Sequence, residues 1–319
     1  VYDSKAPDAL DVLKRFFAAM RPYVEIGLAL GNDLGTTGPA IAKIRTELGM
    51  ATMTETKSQM QDKQMRENMQ KKAKLLKEKC DVFTVNDAMT GYGTAACADV
   101  AWRKKHVEPN GARVLVQGFG NVGSTAAYLI ADLGAKVVAV SDHTAAFYCA
   151  DGLDVHDMLD YAAGNGRVLH GYKADGVTEI AKEDLLYTDA DFLIPAALEG
   201  QITADNADRV KAKYIVEGAN GPTSYEADQI LNAKGKIVVP DILANAGGVI
   251  VSYFEWVQNL QSLSWSLEEV NNKLADILLK AFDEVYGLTE ERGYPMRTSA
   301  YIIALRRLVK TKKIRGIFP

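Results

Sequence analysis

The stretch RVLVQGFGNVGSTAAYLIADLGAKVVAVSDHTA, residues 113–145, limits the possible fold of this chain more than any other. A strand-like run, Arg113–Gln117, leads into Gly118-Phe119-Gly120-Asn121-Val122-Gly123, and Asn121–Leu133 then has the apolar spacing of a helix. A second apolar run ends at Asp142, 24 positions after Gly118. A GxGxxG alone is a weak signal, but between a strand and a helix start it has a mechanism. Gly118 permits a tight turn, Gly120 lets the backbone approach a pyrophosphate, and Gly123 lets helix and strand pack closely. Asn121, Val122 and Gly123 open the helix, whose N–H groups and positive dipole end suit phosphates. Asp142 is then placed to take ribose hydroxyls. The combination predicts a dinucleotide site. The Asp142 carboxylate would repel a 2′-phosphate, which favours NAD over NADP, while His143 beside it offsets that repulsion. Both cofactors remain open.

The rest of the chain fits around this unit. ADFLIPAA (190–197), KYIVEGAN (213–220) and GKIVVPDI (235–242) are further apolar runs separated by helical segments. Near-continuous apolar strands alternating with helices predict a parallel sheet covered on both faces. The fold class is therefore α/β: a doubly wound parallel (Rossmann-type) sheet, with a second, incomplete α/β substrate domain and C-terminal helices. The expected dinucleotide domain spans residues 87–290. Residues 1–86 and 291–319 are assigned to the second domain.

Upstream, residues 8–23 have helical spacing ending near a proline, and Pro39 lies just inside another helix start. Residues 55–80 read as a polar, lysine-rich helix with Met65, Met69, Leu76 and Cys80 on one stripe. That stripe suits packing within its own domain or holding a partner. The chain opens on VYDSKAPDAL, a mid-domain phrase without an initiator methionine, so residues are expected before Val1.

Bulk properties narrow the class. The 319 residues carry a net charge of −4, which argues against a nucleic-acid partner. No apolar run reaches the ~18 residues of a membrane span, and no signal-peptide pattern opens the chain. Cys80, Cys97 and Cys149 have no CxxC or Cys/His pairing, so buried apolar roles are expected and no metal site is. A cytoplasmic location is the expectation.

Several longer phrases carry a family resemblance: TGYGTAACADVAWR (90–103), VQGFGNVGS (116–124), LIPAALEGQIT (193–203), VEGANGPTSYEAD (216–228), VVPDILANAGGVIVSYFEWVQN (238–259) and RTSAYIIALRRL (297–308). With these the chain resembles the glutamate/leucine/phenylalanine/valine dehydrogenase family. The resemblance implies reversible, NAD(P)-dependent oxidative deamination of an L-amino acid to a 2-oxo acid and ammonia. Glutamate is the first amino acid to try, and a homo-oligomer, a hexamer, is implied. It makes Asp33 of NDLGTT the proton-transfer acid; as structure alone, Asp33 would cap the helix starting near Gly38. It makes Thr90 a holder of the nicotinamide carboxamide, and places Ala196, Asn220 and Asn245 along the cofactor crevice. Asn245, Val249 and Ser252 are implied to meet the substrate.

The chain also departs from the family. The family's glycine-flanked catalytic lysine precedes the segment with which this chain opens, so no lysine is named; Lys57 and Lys63 show no setting that marks a replacement. From Asp33 to Thr90 is 57 positions, more than the family pattern has. Tyr92 stands where arginine is usual, and GND where APD is usual. These departures leave two other readings open. One is a non-catalytic nucleotide-binding paralogue or regulatory subunit. The other is a dehydrogenase of another small substrate.

Overall fold

The apolar runs become the middle of a seven-stranded sheet, in a computed structural model that describes residues 7–25, 38–50, 79–80, 83–105, 108–261 and 263–316. A short antiparallel pair, β1 (Lys79–Cys80) and β2 (Phe83–Thr84), precedes it. The sheet itself consists of β3 (Arg113–Gln117), β4 (Lys136–Ser141), β5 (Ala146–Tyr148), β6 (Thr178–Ile180), β7 (Phe192–Pro195), β8 (Tyr214–Val216) and β9 (Ile237–Val239). Its strand order is β6-β5-β4-β3-β7-β8-β9. The five strands from β4 to β9 in that order are parallel, as the apolar runs require.

The doubly wound sheet carries one departure from parallel pairing, at the edge formed by β5 and β6, where both pair antiparallel. For β5 the reason is the length of the connection. Residues 142–145 alone separate β4 from β5, whereas a parallel return needs a crossover of roughly a dozen residues or more.

Among the described residues, the first of two compact units, Val1–Lys72, holds the helices α1 (Ala9–Glu25) and α2 (Gly38–Glu47). Phe17, Val24, Ile41, Ile44 and Met50 form its core. The proline-ended helix expected over 8–23 runs on through Pro22 to Glu25. The second unit, Ala73–Pro319, holds the sheet. Its helices are α3 (Val85–Lys104), α4 (Asn121–Asp132), α5 (Val155–Gly164), α6 (Tyr225–Ala233) and α7 (Asp241–Ala244). Then follow α8 (Gly247–Gln261), α9 (Leu267–Arg292) and α10 (Met296–Arg315). The Met-striped segment 55–80 lies outside the described residues except for its last two, which are strand. The C-terminal helix α10, expected with the substrate domain, falls in the second unit and packs on β9 and α9.

In β3 the side chains alternate between two cores, as a period of two demands, while β4 breaks the alternation at Val138 and Ala139, where its register against β3 shifts. Val114, Val116, Val137 and Val140 point to a core with Trp102 of α3, Ile130 of α4, Met158 of α5 and Phe282 of α9. Leu115 and Val138 point to the other, with Leu185, Leu186, Ala227 and Leu231. The first core is braced by aromatic contacts: Trp102 meets Phe192 edge-on at 4.9 Å, and Phe192 stacks on Tyr214 at 4.6 Å. Such pairs add about 0.5–1.5 kcal/mol each beyond their burial. Cys97 and Cys149 are free and buried, the apolar role expected of them. Burial pushes the Cys97 thiol up to about 12, so it is an inert packing residue. Among the described residues, no helix is long and apolar enough to cross a membrane.

Candidate functional site

The chain leaves β3 toward β4 on one side and returns to β7 on the other, so the strand order switches between β3 and β7. Ligands of open α/β sheets bind at the C-terminal ends of the strands at such a point. Here those ends meet through small residues. Gly118 has φ +99°, and a Cβ on it would lie 2.7 Å from the Ala196 carbonyl oxygen at the end of β7. A Cβ on Gly123 would collide with the Gly118 carbonyl. Both positions require glycine. Gly120 differs: a Cβ there would meet nothing within 4 Å. It is the N-cap of α4, and it brings no side chain to cover the first-turn amides. By contrast, Asp154, Ser224 and Ser266 cap α5, α6 and α9 with side-chain acceptors. The turn therefore leaves room, beside a helix N-terminus, that a phosphate group would fill.

The predicted residues Val122, Ala196, Thr90, Asn220 and Asn245 line up along the same edge. Gly218, just past β8, faces the Ala196 Cβ and a Val122 methyl, each 3.2 Å from where its own Cβ would be. Thr90, in the first turns of α3, lies against Gly248 at the start of α8. Thr94, one turn on, donates its hydroxyl to the Thr90 carbonyl at 3.0 Å. Asn245 ends α7, and its Nδ2 donates to Asn220 Oδ1 at 2.6 Å. Thus Thr90, Gly118, Val122, Gly123, Ala196, Asn220 and Asn245 come from five separate places in the chain onto one edge of the sheet. Val249 and Ser252 sit on the exposed side of α8, Val249 with 69% of its surface accessible. The Asp33 position lies outside the described residues.

Asp142 has a second task. Its Oδ1 accepts from the Thr144 amide and hydroxyl, both at 2.6 Å, and from the Ala145 amide at 2.9 Å. Its Oδ2 accepts from the Leu169 amide at 2.6 Å. The carboxylate thus closes the β4–β5 turn, while Oδ2 keeps a lone pair for a further donor. Burial raises its pKa, but the Thr144 hydroxyl and the three amides outweigh that and hold it below the usual carboxylate value. His143 is exposed, and its carbonyl accepts from Lys182 Nζ at 2.9 Å.

Sequence reasoning missed a buried charge cluster. Arg297, at the start of α10, donates Nη2 to Glu217 Oε1 at 2.7 Å, Nη1 to Asp241 Oδ1 at 3.1 Å and Nε to Asp228 Oδ1 at 3.3 Å. Glu217 is fully buried, and burial pushes its carboxyl up against the pull of Arg297. The Arg297 guanidinium is held firmly charged: burial works against it, and the three carboxylates overcome that. The available signal was one acid at the end of an apolar strand in VEGAN and one arginine opening RTSAY. Nothing local pairs residues 80 positions apart.

The model of the Glutamate/Leucine/Phenylalanine/Valine dehydrogenase family matches residues 84–316. The chain belongs to this family. Among relatives of the glutamate/leucine/phenylalanine/valine dehydrogenases, a glutamate dehydrogenase of Thermotoga maritima is 51% identical over 231 residues, 72% of this chain and 55% of that protein. An NAD-specific glutamate dehydrogenase of Staphylococcus aureus is 44% identical over 230 residues, again 72% of this chain and 55% of the relative. The chain thus spans about half the length of the relatives it matches. Among solved structures, the hetero-hexameric glutamate dehydrogenase of Thermus thermophilus in its leucine-bound form aligns with a TM-score of 0.75. That alignment is 30% identical and covers 100% of this chain and 73% of the other. The family match contains the whole sheet and every candidate site residue except Asp33.

Proposed function

We propose that this chain is the greater part of an NAD(P)-dependent amino-acid dehydrogenase that deaminates glutamate oxidatively and reversibly to the 2-oxo acid and ammonia. The observation that carries this reading is the open position at Gly120, beside the N-terminus of α4, at the switch between β3 and β7. The family membership and the names of the relatives support it. Gly118, Gly120, Asn121, Val122 and Gly123 would hold the pyrophosphate, and Asp142 Oδ2 with neighbouring His143 would meet the adenosine ribose. The carboxylate favours NAD, as in the name of the staphylococcal relative. Thr90, Ala196, Asn220 and Asn245 would hold the nicotinamide half.

When bound, the nicotinamide supplies the hydride acceptor in one direction and the donor in the other. The protein's residues do the orienting. Asn245 already donates to Asn220, which fixes the direction in which its amide oxygen is presented. Val249 and Ser252 of α8, four and seven residues beyond Asn245, would contact the amino acid, and Asp33 would take and return its proton. Residues 1–86 would contribute to the substrate domain of a homo-hexamer in the cytoplasm.

The test is calorimetric titration of the full-length protein with NAD and NADP, followed by assay of its cofactor reduction with glutamate, leucine, phenylalanine and valine. Glutamate-dependent reduction is the expected result. Cofactor binding without turnover on any of the four would favour the non-catalytic paralogue. Absence of cofactor binding would sink both readings.

A further inference from the structure

The Asn220–Asn245 pair has to be built from two loops that leave different strands, β8 and β9. Neither loop is rigid by local means. Glu217 to Gly221 has no helix or strand of its own, and α7 is a single turn of four residues. Isolated turns of this length have little stability of their own. Yet the two asparagine side chains meet at 2.6 Å.

What fixes them lies one layer below. Glu217, three residues before Asn220, accepts from Arg297 through Oε1 and from the Asp241 backbone amide through Oε2, the latter at 2.8 Å. Asp241, four residues before Asn245, accepts from Arg297 through Oδ1 and from the Gly221 amide through Oδ2 at 2.9 Å. Residue 220 is thus flanked by two anchored positions, Glu217 and Gly221, and the helix leading to Asn245 is anchored at its first residue. The same guanidinium also reaches Asp228 of α6. One planar fork serves three carboxylates, for which an ammonium has no equivalent geometry. Arg297 has 18% of its side chain exposed and Glu217 none.

We propose that Arg297, acting through Glu217 and Asp241, is a positioning residue that sets the Asn220–Asn245 pair for the nicotinamide end of the cofactor. This rests on the cofactor reading above. The cluster's hydrogen bonds join Arg297, Glu217, Asp228, Asp241 and Gly221 and do not run to the glycine turn, so the pyrophosphate half of the site should respond less to its loss.

The test compares NAD with ADP-ribose, which has the same diphosphate and riboses but lacks nicotinamide. Affinities for both are measured by calorimetry on the full protein and on Arg297→Lys, Asp241→Ala and the isosteric Asp241→Asn, with thermal melts to verify folding. Asp241→Asn keeps one acceptor oxygen for Gly221 while its amide N–H2 faces Arg297, and its partial loss of NAD affinity serves as the measurement if either of the others fails to fold. The expected result is an NAD affinity lowered about tenfold, or ~1.4 kcal/mol, in Arg297→Lys and Asp241→Ala. ADP-ribose affinity stays as in the parent protein in all three, and Asp241→Asn loses less NAD affinity than Asp241→Ala because it keeps the Gly221 anchor. Equal losses for the two ligands would overturn the proposal, because the cluster would then be general scaffolding. Unchanged NAD binding in folded variants would overturn it as well. If the parent protein binds neither ADP-ribose nor NAD above the heat of a buffer control, the cofactor reading falls first and this inference with it.

Discussion

Gly120 and Gly123 are three positions apart in one motif, yet they do different physical jobs, and this makes them separable by experiment. A methyl group at Gly123 collides with the Gly118 carbonyl, so the turn must move. Gly123→Ala should therefore lower stability by about 1–3 kcal/mol, as overpacking does, and lose cofactor binding as a consequence. A methyl group at Gly120 meets no protein atom within 4 Å. Gly120→Ala should leave the melting temperature unchanged and weaken NAD about tenfold or more, by occupying the room that the diphosphate needs. Melts and calorimetry on the two variants read this directly. A Gly120→Ala protein that binds NAD normally would remove the open position as the basis of the functional reading.

The β4–β5 turn is an element held together by one carboxylate. Asp142 accepts four hydrogen bonds from residues 144, 145 and 169. In Asp142→Asn the new amide must present a donor to one of these donors, at a cost of roughly 1–2 kcal/mol at neutral pH. The folded-state pKa of Asp142 is lowered. Its stabilising contribution is therefore complete above the unfolded value near ~3.9 and is lost as pH falls through the lower folded value. The stability gap between the parent protein and Asp142→Asn should accordingly be constant above about pH 5 and narrow on acidification below ~4. Denaturant titrations across that range decide it. A gap that widened in acid would mean that Asp142 is not the acceptor holding the turn.

The molecule as a whole divides into two units, and the sheet, both large cores and all described cofactor-site candidates belong to residues 73–319. That unit has its own cores of buried side chains on both faces of the sheet. A protein cut to residues 73–319 should thus unfold cooperatively and bind NAD as the whole chain does. It should show no amino-acid turnover, since Asp33 is outside it. Circular dichroism melts, calorimetry and a glutamate assay on the shortened protein test the division. Loss of NAD binding in the shortened but folded protein would place part of the cofactor site in the first 72 residues.

Much of the candidate site is legible in the amino-acid sequence because its signals are local. The GxGxxG between Arg113–Gln117 and Asn121–Leu133, and Asp142 at the next strand's end, are encoded within 30 consecutive residues. The apolar runs of β3, β4, β7, β8 and β9 declare burial on both faces, and burial on both faces implies parallel neighbours. Other features leave no local trace. Strands β5 and β6 are three residues each, too short for a periodic signal, and β5 runs antiparallel because a four-residue turn cannot carry a crossover. Arg297 finds Glu217, Asp228 and Asp241 across 80, 69 and 56 positions. A charged residue at the start of a helix looks the same in sequence whether it faces water or three carboxylates. Periodicity and turn chemistry act over a few residues, and so they are written in the chain. The pairing of buried charges depends on which strands and helices the folded sheet brings side by side, and it exists only once they have packed.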